Sequence, residues 1–467
     1  MSLSLTDREV RKALGMSTDR AVEDLTFSGI CTDSRSVEIG SLFVALVGER
    51  FDGHDFVAEA LARGAGGAVV SRVVDSEAGS PLYPVPDTLQ ALGDLARHRR
   101  KELRARVVGI TGSSGKTSTK DFLKEALSGS MRVHATAGNL NNRIGLPLTV
   151  LATPPDAQVL VLELGTNEPG EIRALTAVAR PQLGVITTVS ETHLEKLGSM
   201  EGILEEKLDL FRFLPADGLA VVGDDPPILE ERARSVTAER LAADLLVVGW
   251  SERALPQLRP REAEAMENGC YRFIWEGERV QLRVPGRHSV QNALLALAVA
   301  RALGVPPRDA VLRIGRVRAT GMRSEIRVLG SLTLLVDCYN ASPQSVRAAL
   351  DLLATVRRPG RRVAVMGSML ELGERSQLLH CQVLEDALSR SLDLVVATGL
   401  FTEAARFVTR PPGGPELVAV GGLDEAETVL LERLGGDEVV LLKASRGVAM
   451  EALIPVLEAR FGSGEED

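Results

Sequence analysis

The run from Val107 to Thr119 (VVGITGSSGKTST) constrains the fold of this chain more than any other feature. An apolar segment leads into a glycine-rich loop, and Gly115-Lys116-Thr117 then begins a segment with a helical pattern. In this order, the backbone N–H groups of the loop and the N-terminus of the helix converge on one anion. We therefore predict a strand, a phosphate-binding loop and a helix. Lys116 would reach the β- and γ-phosphates of a nucleotide, and Thr117 would face Mg²⁺. The predicted nucleotide contacts in this loop are Gly112, Ser113, Ser114, Gly115, Lys116, Thr117 and Ser118.

The motif departs from the strict phosphate-loop pattern at one position. That pattern has a glycine at position 110, whereas this chain has Ile110, and Gly112 supplies the flexibility further along the loop. The alternative interpretation is a tight strand-to-helix turn with an exposed lysine. The order of strand, loop and helix favours the phosphate site, because that site requires this context.

Length and composition limit the class of protein. A chain of 467 residues is too long for one core and indicates about three domains. The net charge of -9 argues against a general binder of nucleic acid or of membrane surfaces. The polar first eleven residues predict no signal peptide. The purest apolar run near the middle of the chain, 293–300, is too short to span a bilayer. Four scattered cysteines without a C-x-x-C pair are typical of a reduced, cytoplasmic protein: Cys31, Cys270, Cys338 and Cys381.

The hydrophobic pattern divides the chain into three α/β units. Residues 1–84 contain predicted strands at 41–47 and 67–70 and a helix at 56–63, and Pro81, Pro84 and Pro86 are expected to break regular structure at the boundary. In 85–316, a helix at 87–103 precedes five strands that alternate with helical patterns, at 106–110, 158–164, 183–189, 219–222 and 245–248. Such alternation predicts a mostly parallel sheet covered by helices, and 267–284 resembles a hairpin at its edge.

The third unit, 317–467, has predicted strands at 332–336, 362–366, 394–397 and 439–442, separated by helical patterns. The predicted fold class is therefore α/β with three domains: a small N-terminal α/β domain, a central phosphate-loop domain with a mostly parallel sheet, and a Rossmann-like C-terminal domain.

Two polar residues close or follow neighbouring central strands. Glu163 ends the apolar run VLVLE, and His193 lies beyond the next strand. Ligands of open α/β sheets bind at the carboxyl ends of strands, and Mg²⁺ prefers oxygen ligands, so we predict a metal role for both. The alternatives are a carboxylate that simply meets water and a structural histidine.

Three further segments leave their interpretation open. The amide-rich loop 138–145, with Asn142, is either an ordinary turn or a contact for a polar substrate. The segment 286–292 opens a helix and either contacts a base and ribose or caps that helix. Lys207 lies among Glu205, Glu206 and Asp209, and this local sequence predicts a solvated lysine.

With these motifs in place, the chain resembles the Mur ligases, ATP-dependent enzymes that build the peptide stem of peptidoglycan, over essentially its whole length. The motifs that carry the resemblance are Thr111–Thr117, Asn139–Asn142, Glu163–Gly165, His193–Glu195 and Gly286–His288 with Asn292.

The resemblance implies roles that spacing alone does not. The first domain would bind a UDP-sugar through Ser34, Arg35, Asp52 and His54. Lys207 matches a lysine that the family carbamylates into a metal ligand, so that Lys116, Lys207 and His193 would be catalytic and Thr117, Glu163, His193 and Lys207 would hold metal. Asn292 would meet adenine, Asp337 the ribose and Arg323 the phosphates. Asn142, Asn340, Lys443 and Arg446 are the remaining expected substrate contacts, and the last two would bind either an acceptor carboxylate or nucleotide phosphate.

Within the family, the runs Asp337–Pro343, Met366–Gly373 and Lys443–Gly447 are similar to those of the member that adds D-alanyl-D-alanine to UDP-N-acetylmuramoyl-tripeptide. Ser368 stands where the family commonly has aspartate, so no acceptor contact from an aspartate is expected there. We expect a monomer that uses ATP and Mg²⁺, binds neither nucleic acid nor membrane, and is open without ligands. The alternatives are another amide ligase of the superfamily, such as a third-residue ligase or a folylpolyglutamate synthase, and a nucleotide-gated regulator.

Overall fold

The computed structural model describes residues 4–22, 25–74, 80–238, 240–242 and 245–462. In the first unit, a two-stranded antiparallel ribbon and a four-stranded parallel sheet of order β3-β4-β5-β6 pack with two helices. The elements are β1 (Leu5–Thr6), α1 (Asp7–Ala13), β2 (Thr26–Phe27), β3 (Ile30–Cys31), β4 (Leu42–Val44), α2 (Val57–Ala62), β5 (Gly67–Val70) and β6 (Leu82–Pro84). The expectation that prolines end regular structure here was wrong for β6. It is an edge strand, where proline is tolerated.

The central unit is built on six parallel strands in the order β12-β11-β10-β7-β9-β8. Its elements up to the end of that sheet are α3 (Thr88–Glu102), β7 (Arg106–Thr111), α4 (Lys116–Ser128), β8 (Val133–Ala135), α5 (Gly145–Leu151), β9 (Val159–Glu163), α6 (Glu171–Ala179), β10 (Leu183–Ile186), α7 (Leu194–Leu197), α8 (Met200–Arg212), β11 (Leu219–Gly223), α9 (Pro227–Thr237) and β12 (Leu246–Val248). The phosphate-loop strand β7 lies inside the sheet between β10 and β9, and its residues 107–111 are buried.

The predicted edge hairpin is instead part of a separate sheet. Three antiparallel strands, β13 (Arg261–Ala265), β14 (Tyr271–Trp275) and β15 (Glu278–Gln281), pair only with one another in the described part of the chain. The first of them escaped prediction because it is mostly polar and exposed. The helices α10 (Arg287–Ala302) and α11 (Pro307–Ile314) follow. The apolar run 293–300 forms the buried centre of α10, which packs against α4 beneath the phosphate loop.

The third unit is a six-stranded sheet in the order β16-β17-β21-β18-β19-β20, with one antiparallel pair, β16 with β17. Its elements are β16 (Glu325–Leu329), β17 (Leu332–Asp337), α12 (Pro343–Thr355), β18 (Arg362–Met366), α13 (Ser376–Leu388), β19 (Leu394–Thr398), α14 (Leu400–Ala404), β20 (Glu416–Val420), α15 (Leu423–Arg433), β21 (Val439–Lys443) and α16 (Leu453–Phe461). The predicted fold class is confirmed. Among the described helices, none has both the length and the apolar character needed to cross a membrane.

Candidate active site

A cavity of about 940 Å³ lies between the central and third units, at the carboxyl ends of their strands. It brings together most of the residues that the sequence singled out, although they come from both units. The predicted residues that line it are Ser113, Ser114, Gly115, Lys116, Thr117, Ser118, Asn142, Glu163, His193, Asn292, Arg323, Asp337, Asn340 and Lys443.

The phosphate loop is held in a conformation that needs glycine at two positions. Gly112 and Gly115 have φ values of 146° and 80°, which favour glycine. A Cβ at Gly112 would overlap the Thr187 hydroxyl, and one at Gly115 would overlap the Asn292 amide. The N-cap residue of α4 is Gly115, and no side chain in the described segments caps this helix, so its first N–H groups can receive an anion.

Lys116 begins α4 and folds back over the loop. Its Nζ donates a hydrogen bond to the carbonyl oxygen of Gly112 at 2.7 Å. Desolvation lowers the pKa of Lys116, the neighbouring Glu163 opposes this shift, and the charge of Arg323 adds to it. The ammonium therefore lies beside the phosphate cradle, and its hydrogen-bond partner among the described residues is one carbonyl oxygen that a phosphate oxygen would replace.

Glu163 is a buried carboxylate at the end of β9, with 2% of its surface exposed. Its Oε2 accepts a hydrogen bond from the Thr117 hydroxyl at 2.9 Å, and its Oε1 accepts one from the Asn141 amide at 2.8 Å. Both donors are neutral, and no lysine, arginine or histidine in the described ranges forms an ion pair with this carboxylate. A buried anion among neutral oxygen and amide groups suits a hard divalent cation, so the residues fit Mg²⁺.

His193 joins the two units across the cavity. It has a left-handed backbone, with φ of 54°, and its Nδ1 hydrogen-bonds the carboxylate of Glu371 in the third unit. This hydrogen bond lowers the pKa of Glu371. The backbone N–H of Glu195 also donates to the Glu371 carbonyl at 3.2 Å, and Arg375 pairs with Glu191 at 3.0 Å. Both units are therefore in contact at this edge of the cavity, and the open arrangement expected without ligands remains a prediction.

Lys207 is not the solvated lysine that its local sequence predicted. It lies on the buried side of α8 with 2% of its surface exposed, whereas Glu205 forms ion pairs with Arg212 and Arg232. Burial lowers the pKa of Lys207 to about 7, and the positive charge of Lys116 adds to this shift. A substantial fraction of this amine is therefore neutral, and nucleophilic, near neutral pH.

The third unit closes the nucleotide end of the cavity with residues at the ends of β17 and β21. Asp337 accepts hydrogen bonds from the Ser324 backbone N–H at 3.1 Å and from Lys443 Nζ at 2.7 Å. Lys443 also donates to the Asn340 carbonyl at 2.8 Å, so its charge is already offset. The Arg323 guanidinium lies 3.6 Å from the centre of the Tyr339 ring, which holds it against the cavity wall.

Several predicted residues do not line this cavity: Gly112, Lys207, Arg446 and the four residues of the first unit. Arg446 pairs with Glu451 at 2.6 Å. Arg35 pairs with Asp33 at 2.7 Å and is exposed, whereas Ser34 is buried.

In the first unit, both nitrogens of the His54 ring are used within the fold. Nδ1 pairs with Asp52 at 2.6 Å, and Nε2 accepts a hydrogen bond from the Ser71 backbone N–H at 2.8 Å. His54 therefore positions Asp52, and substrate contacts in this unit remain predictions.

Three family models together cover most of the chain: "Mur ligase family, catalytic domain" at residues 26–100, "Mur ligase middle domain" at 110–300 and "Mur ligase, glutamate ligase domain" at 322–446. The UDP-N-acetylmuramoyl-tripeptide–D-alanyl-D-alanine ligase of Bacillus subtilis (strain 168) is 35% identical over 440 residues, which cover 92% of this chain and 93% of that protein. The chain belongs to the Mur ligase family.

Solved Mur ligases have the same architecture. A crystal structure of MurF from Acinetobacter baumannii superposes with a TM-score of 0.89 at 31% identity, covering 98% of this chain and 100% of that one. MurF from Thermotoga maritima in complex with ADP superposes with a TM-score of 0.81 at 29% identity, covering 94% and 99%.

Asn141 is a functional candidate that sequence reasoning did not single out. The predicted contact in its loop was Asn142, whose side-chain oxygen accepts hydrogen bonds from the backbone N–H groups of Ile144 and Gly145 at the start of α5. Asn141 instead holds Glu163. The sequence did contain a signal, because carboxylates that hold a metal are themselves hydrogen-bonded and an amide-rich loop can supply such a donor.

The side chain of Ser368, the residue expected from the resemblance to replace an aspartate, hydrogen-bonds within the fold of the third unit. Its Oγ accepts a hydrogen bond from the Leu400 backbone N–H at 2.9 Å. This ties the end of β18 to the start of α14.

Proposed function

We propose that this chain joins D-alanyl-D-alanine to UDP-N-acetylmuramoyl-tripeptide and converts ATP to ADP and phosphate. The observation that carries this proposal is the cavity between the two units. There the phosphate loop and the buried Glu163 face Arg323 and Asp337 of the third unit. The curated relative in Bacillus subtilis is named for this activity and matches more than nine-tenths of the chain.

In the first step, an oxygen of the terminal tripeptide carboxylate attacks the γ-phosphorus of ATP, and the bond to the β-phosphate oxygen breaks to release ADP. Two anions must meet, so positive charge is required at the transferring phosphoryl group. Lys116, once moved from the Gly112 carbonyl to a phosphate oxygen, supplies one such charge. Mg²⁺, when bound, neutralises further phosphate charge as a Lewis acid, and Thr117, Glu163, His193 and Lys207 are the proposed residues that hold it.

In the second step, the free amine of D-alanyl-D-alanine attacks the carbonyl carbon of the acyl phosphate. A tetrahedral intermediate forms, the amine loses a proton, and inorganic phosphate leaves with the pair of electrons of its C–O bond. Water must be kept from the acyl phosphate, which would otherwise hydrolyse. The contacts of His193 with Glu371 and of Arg375 with Glu191 close one edge of the cavity and support this requirement.

Lys207 is proposed to react with CO₂ and form a carbamate. Its pKa of about 7 supports this, because the neutral amine is the form that attacks CO₂. The neutral amine forms an N–C bond with CO₂ and releases one proton, which gives a carbamate anion. Starting from the ammonium form, a first proton is lost before this step, so the change from cation to anion releases two protons in all. The carbamate would then be a metal ligand, directly or by orienting one.

The three units are proposed to divide the substrates between them. Residues 1–84 would hold the UDP-sugar, with Ser34, Arg35, Asp52 and His54 forming or shaping its site. Residues 85–316 would hold ATP, with Asn292 at the adenine and Asn142 near the peptide. Residues 317–467 would close over the nucleotide and bind the dipeptide, with Asn340, Lys443 and Arg446 as the proposed contacts. Asp337 already pairs with Lys443 and Glu451 with Arg446, so either cation would exchange a carboxylate of the chain for that of the acceptor.

The direct test measures phosphate release with UDP-N-acetylmuramoyl-tripeptide and D-alanyl-D-alanine present together, each alone, and neither. We expect release only with both. A much higher kcat/KM is expected for the dipeptide than for D-alanine, meso-diaminopimelate, L-lysine or L-glutamate, because a shorter acceptor leaves its carboxylate anchor unpaired. Preference for a dipeptide donor with a single amino acid would instead make this a third-residue ligase. Release without either substrate would indicate a nucleotide-gated regulator.

A further inference from the structure

A second cavity, of about 900 Å³, shares no lining residue with the nucleotide cavity. Four of its lining side chains are arginines, Arg283, Arg318, Arg357 and Arg358, and we call this cavity the arginine cleft. Glu267 is the single acidic side chain among its lining residues. The cleft is therefore strongly positive, although the whole chain has a net charge of -9.

The four arginines come from three segments that meet where the central and third units join. Arg283 follows β15, Arg318 lies in the connection between α11 and β16, and Arg357 and Arg358 follow α12. The backbones of Arg283 and Arg318 form a β-bridge, and the Arg357 N–H donates to the Glu267 carbonyl at 2.8 Å. These backbone contacts hold the arginines around a common space.

The guanidinium groups of the cleft lack partners in the part of the chain that the structure describes. All four arginines are exposed, and none of their side chains forms an ion pair or hydrogen bond there. Some other exposed arginines among the described residues are paired. Arg272, on β14 of the neighbouring sheet, contacts Glu264 at 2.6 Å, and Arg433 contacts Glu416 at 2.8 Å.

The chemistry of this arrangement selects an anion. Arginine presents a planar fork of N–H donors that matches the oxygens of phosphate in a bidentate way. Four like charges around one cavity repel one another, and a bound anion removes that repulsion. A single phosphate would engage one or two forks, whereas a chain of phosphates would reach all four. The cavity volume is close to that of the nucleotide cavity, so such a molecule fits.

We propose that the arginine cleft binds a small polyanion with two or more linked phosphate groups. Such a ligand would contact both units at a point outside the active site. Arg283 is followed directly by Val284, which lines the nucleotide cavity, so the two sites flank one short segment. The occupied cleft would therefore hold the central and third units together.

The experiment titrates inorganic tripolyphosphate into the full chain by calorimetry, at low salt and with excess ADP to occupy the phosphate loop. We expect the double variant Arg318→Gln/Arg357→Gln to bind at least tenfold more weakly than the unmodified chain. The matched control is Arg308→Gln/Arg410→Gln, which removes two exposed arginines that lie outside the cleft and form no ion pair with any described residue. This control should bind normally.

Two further variants keep the test decisive. Arg318→Lys/Arg357→Lys retains the charge but loses the fork, and should fall between the unmodified chain and the glutamine variant. If the glutamine variant does not fold, Arg283→Gln/Arg358→Gln replaces it. A parallel titration with GTP distinguishes the source of the phosphates, because tighter binding of GTP indicates a nucleotide and equal binding an inorganic polyphosphate. The proposal is overturned if the cleft variants and the control variant bind tripolyphosphate with the same affinity. It is also overturned if the unmodified chain shows no binding of tripolyphosphate once ADP occupies the phosphate loop.

Discussion

The two large cavities have nearly equal volumes, about 940 and 900 Å³, but their charged groups are held in opposite ways. In the nucleotide cavity the charged groups already have partners within the chain: Lys116 contacts Gly112, Thr117 and Asn141 contact Glu163, and Lys443 contacts Asp337. In the arginine cleft, no described residue forms an ion pair or hydrogen bond with the guanidinium groups. A site for chemistry needs groups fixed before the substrate arrives, because fixed charges need no rearrangement during the reaction. A site that only binds an anion has no such need.

This contrast predicts that losing one charge in the nucleotide cavity has a far larger effect on catalysis than losing one in the cleft. The largest effect is expected for Lys116→Ala. Its ammonium would stabilise charge on the transferring phosphoryl group, a contribution of roughly 3–4 kcal/mol or more in comparable sites. The ligation rate should therefore fall by at least about 10²–10³-fold, measured as ADP formation with both substrates present.

The matched control for Lys116→Ala is Lys124→Ala on the same helix, where the side chain is exposed. This control should keep its rate, and both variants should unfold at the temperature of the unmodified chain. Near-native turnover of Lys116→Ala would remove the phosphate loop from the proposed mechanism.

The second prediction concerns the buried lysine. Lys207→Ala should be nearly inactive, because it loses the proposed carbamate. Formate or acetate at high concentration should partly restore the rate, because either anion can occupy the volume that the lysine side chain leaves. Lys101→Ala on α3 serves as the control, since its side chain is exposed. Rescue by chloride to the same extent would contradict the carbamate, because chloride replaces charge without providing a carboxylate.

How far the sequence could predict the active site is clear from these two lysines. The role of Lys116 was predictable because the phosphate site is formed by residues adjacent to it in the sequence, namely the glycines of the loop and the start of α4. The environment of Lys207 is not local. Its burial depends on how α8 packs against α6, α9 and the sheet, whereas the nearby Glu205, Glu206 and Asp209 indicate a solvated surface when only the sequence is considered. Only the family resemblance pointed to it.

The same distinction explains the fold predictions. Strands β5 and β18 were predicted at their observed bounds because they are short apolar runs buried within sheets. Strands β16 and β20 were missed, since as edge strands they are partly exposed and mix charged with apolar residues. The arginine cleft was invisible for a third reason. Its arginines lie in three segments that are distant in the sequence, and the pattern around each arginine is that of an ordinary charged surface residue.

A third prediction tests whether Glu163 depends on its neutral partners. Asn141→Ala should lower the rate by about tenfold and raise the Mg²⁺ concentration needed for half-maximal rate, because removing a group that orients a metal ligand typically costs 10–100-fold. Asn139→Ala is the control from the same loop, and its side chain is exposed. A purely structural role for Asn141 would lower the melting temperature without changing the Mg²⁺ dependence.

The smallest effect on the ligation rate is expected for variants of the arginine cleft. These variants give the most direct test of the proposed difference between the two cavities. Without added anion, Arg318→Gln/Arg357→Gln should ligate within about twofold of the unmodified chain, since neither side chain lines the nucleotide cavity. With tripolyphosphate present, the unmodified chain should melt at a higher temperature, because a ligand that binds only the folded state stabilises it. The variant should lose most of that increase. A large loss of ligation in the variant without anion would mean that the arginines act in the reaction itself, and that the two cavities are parts of one functional site.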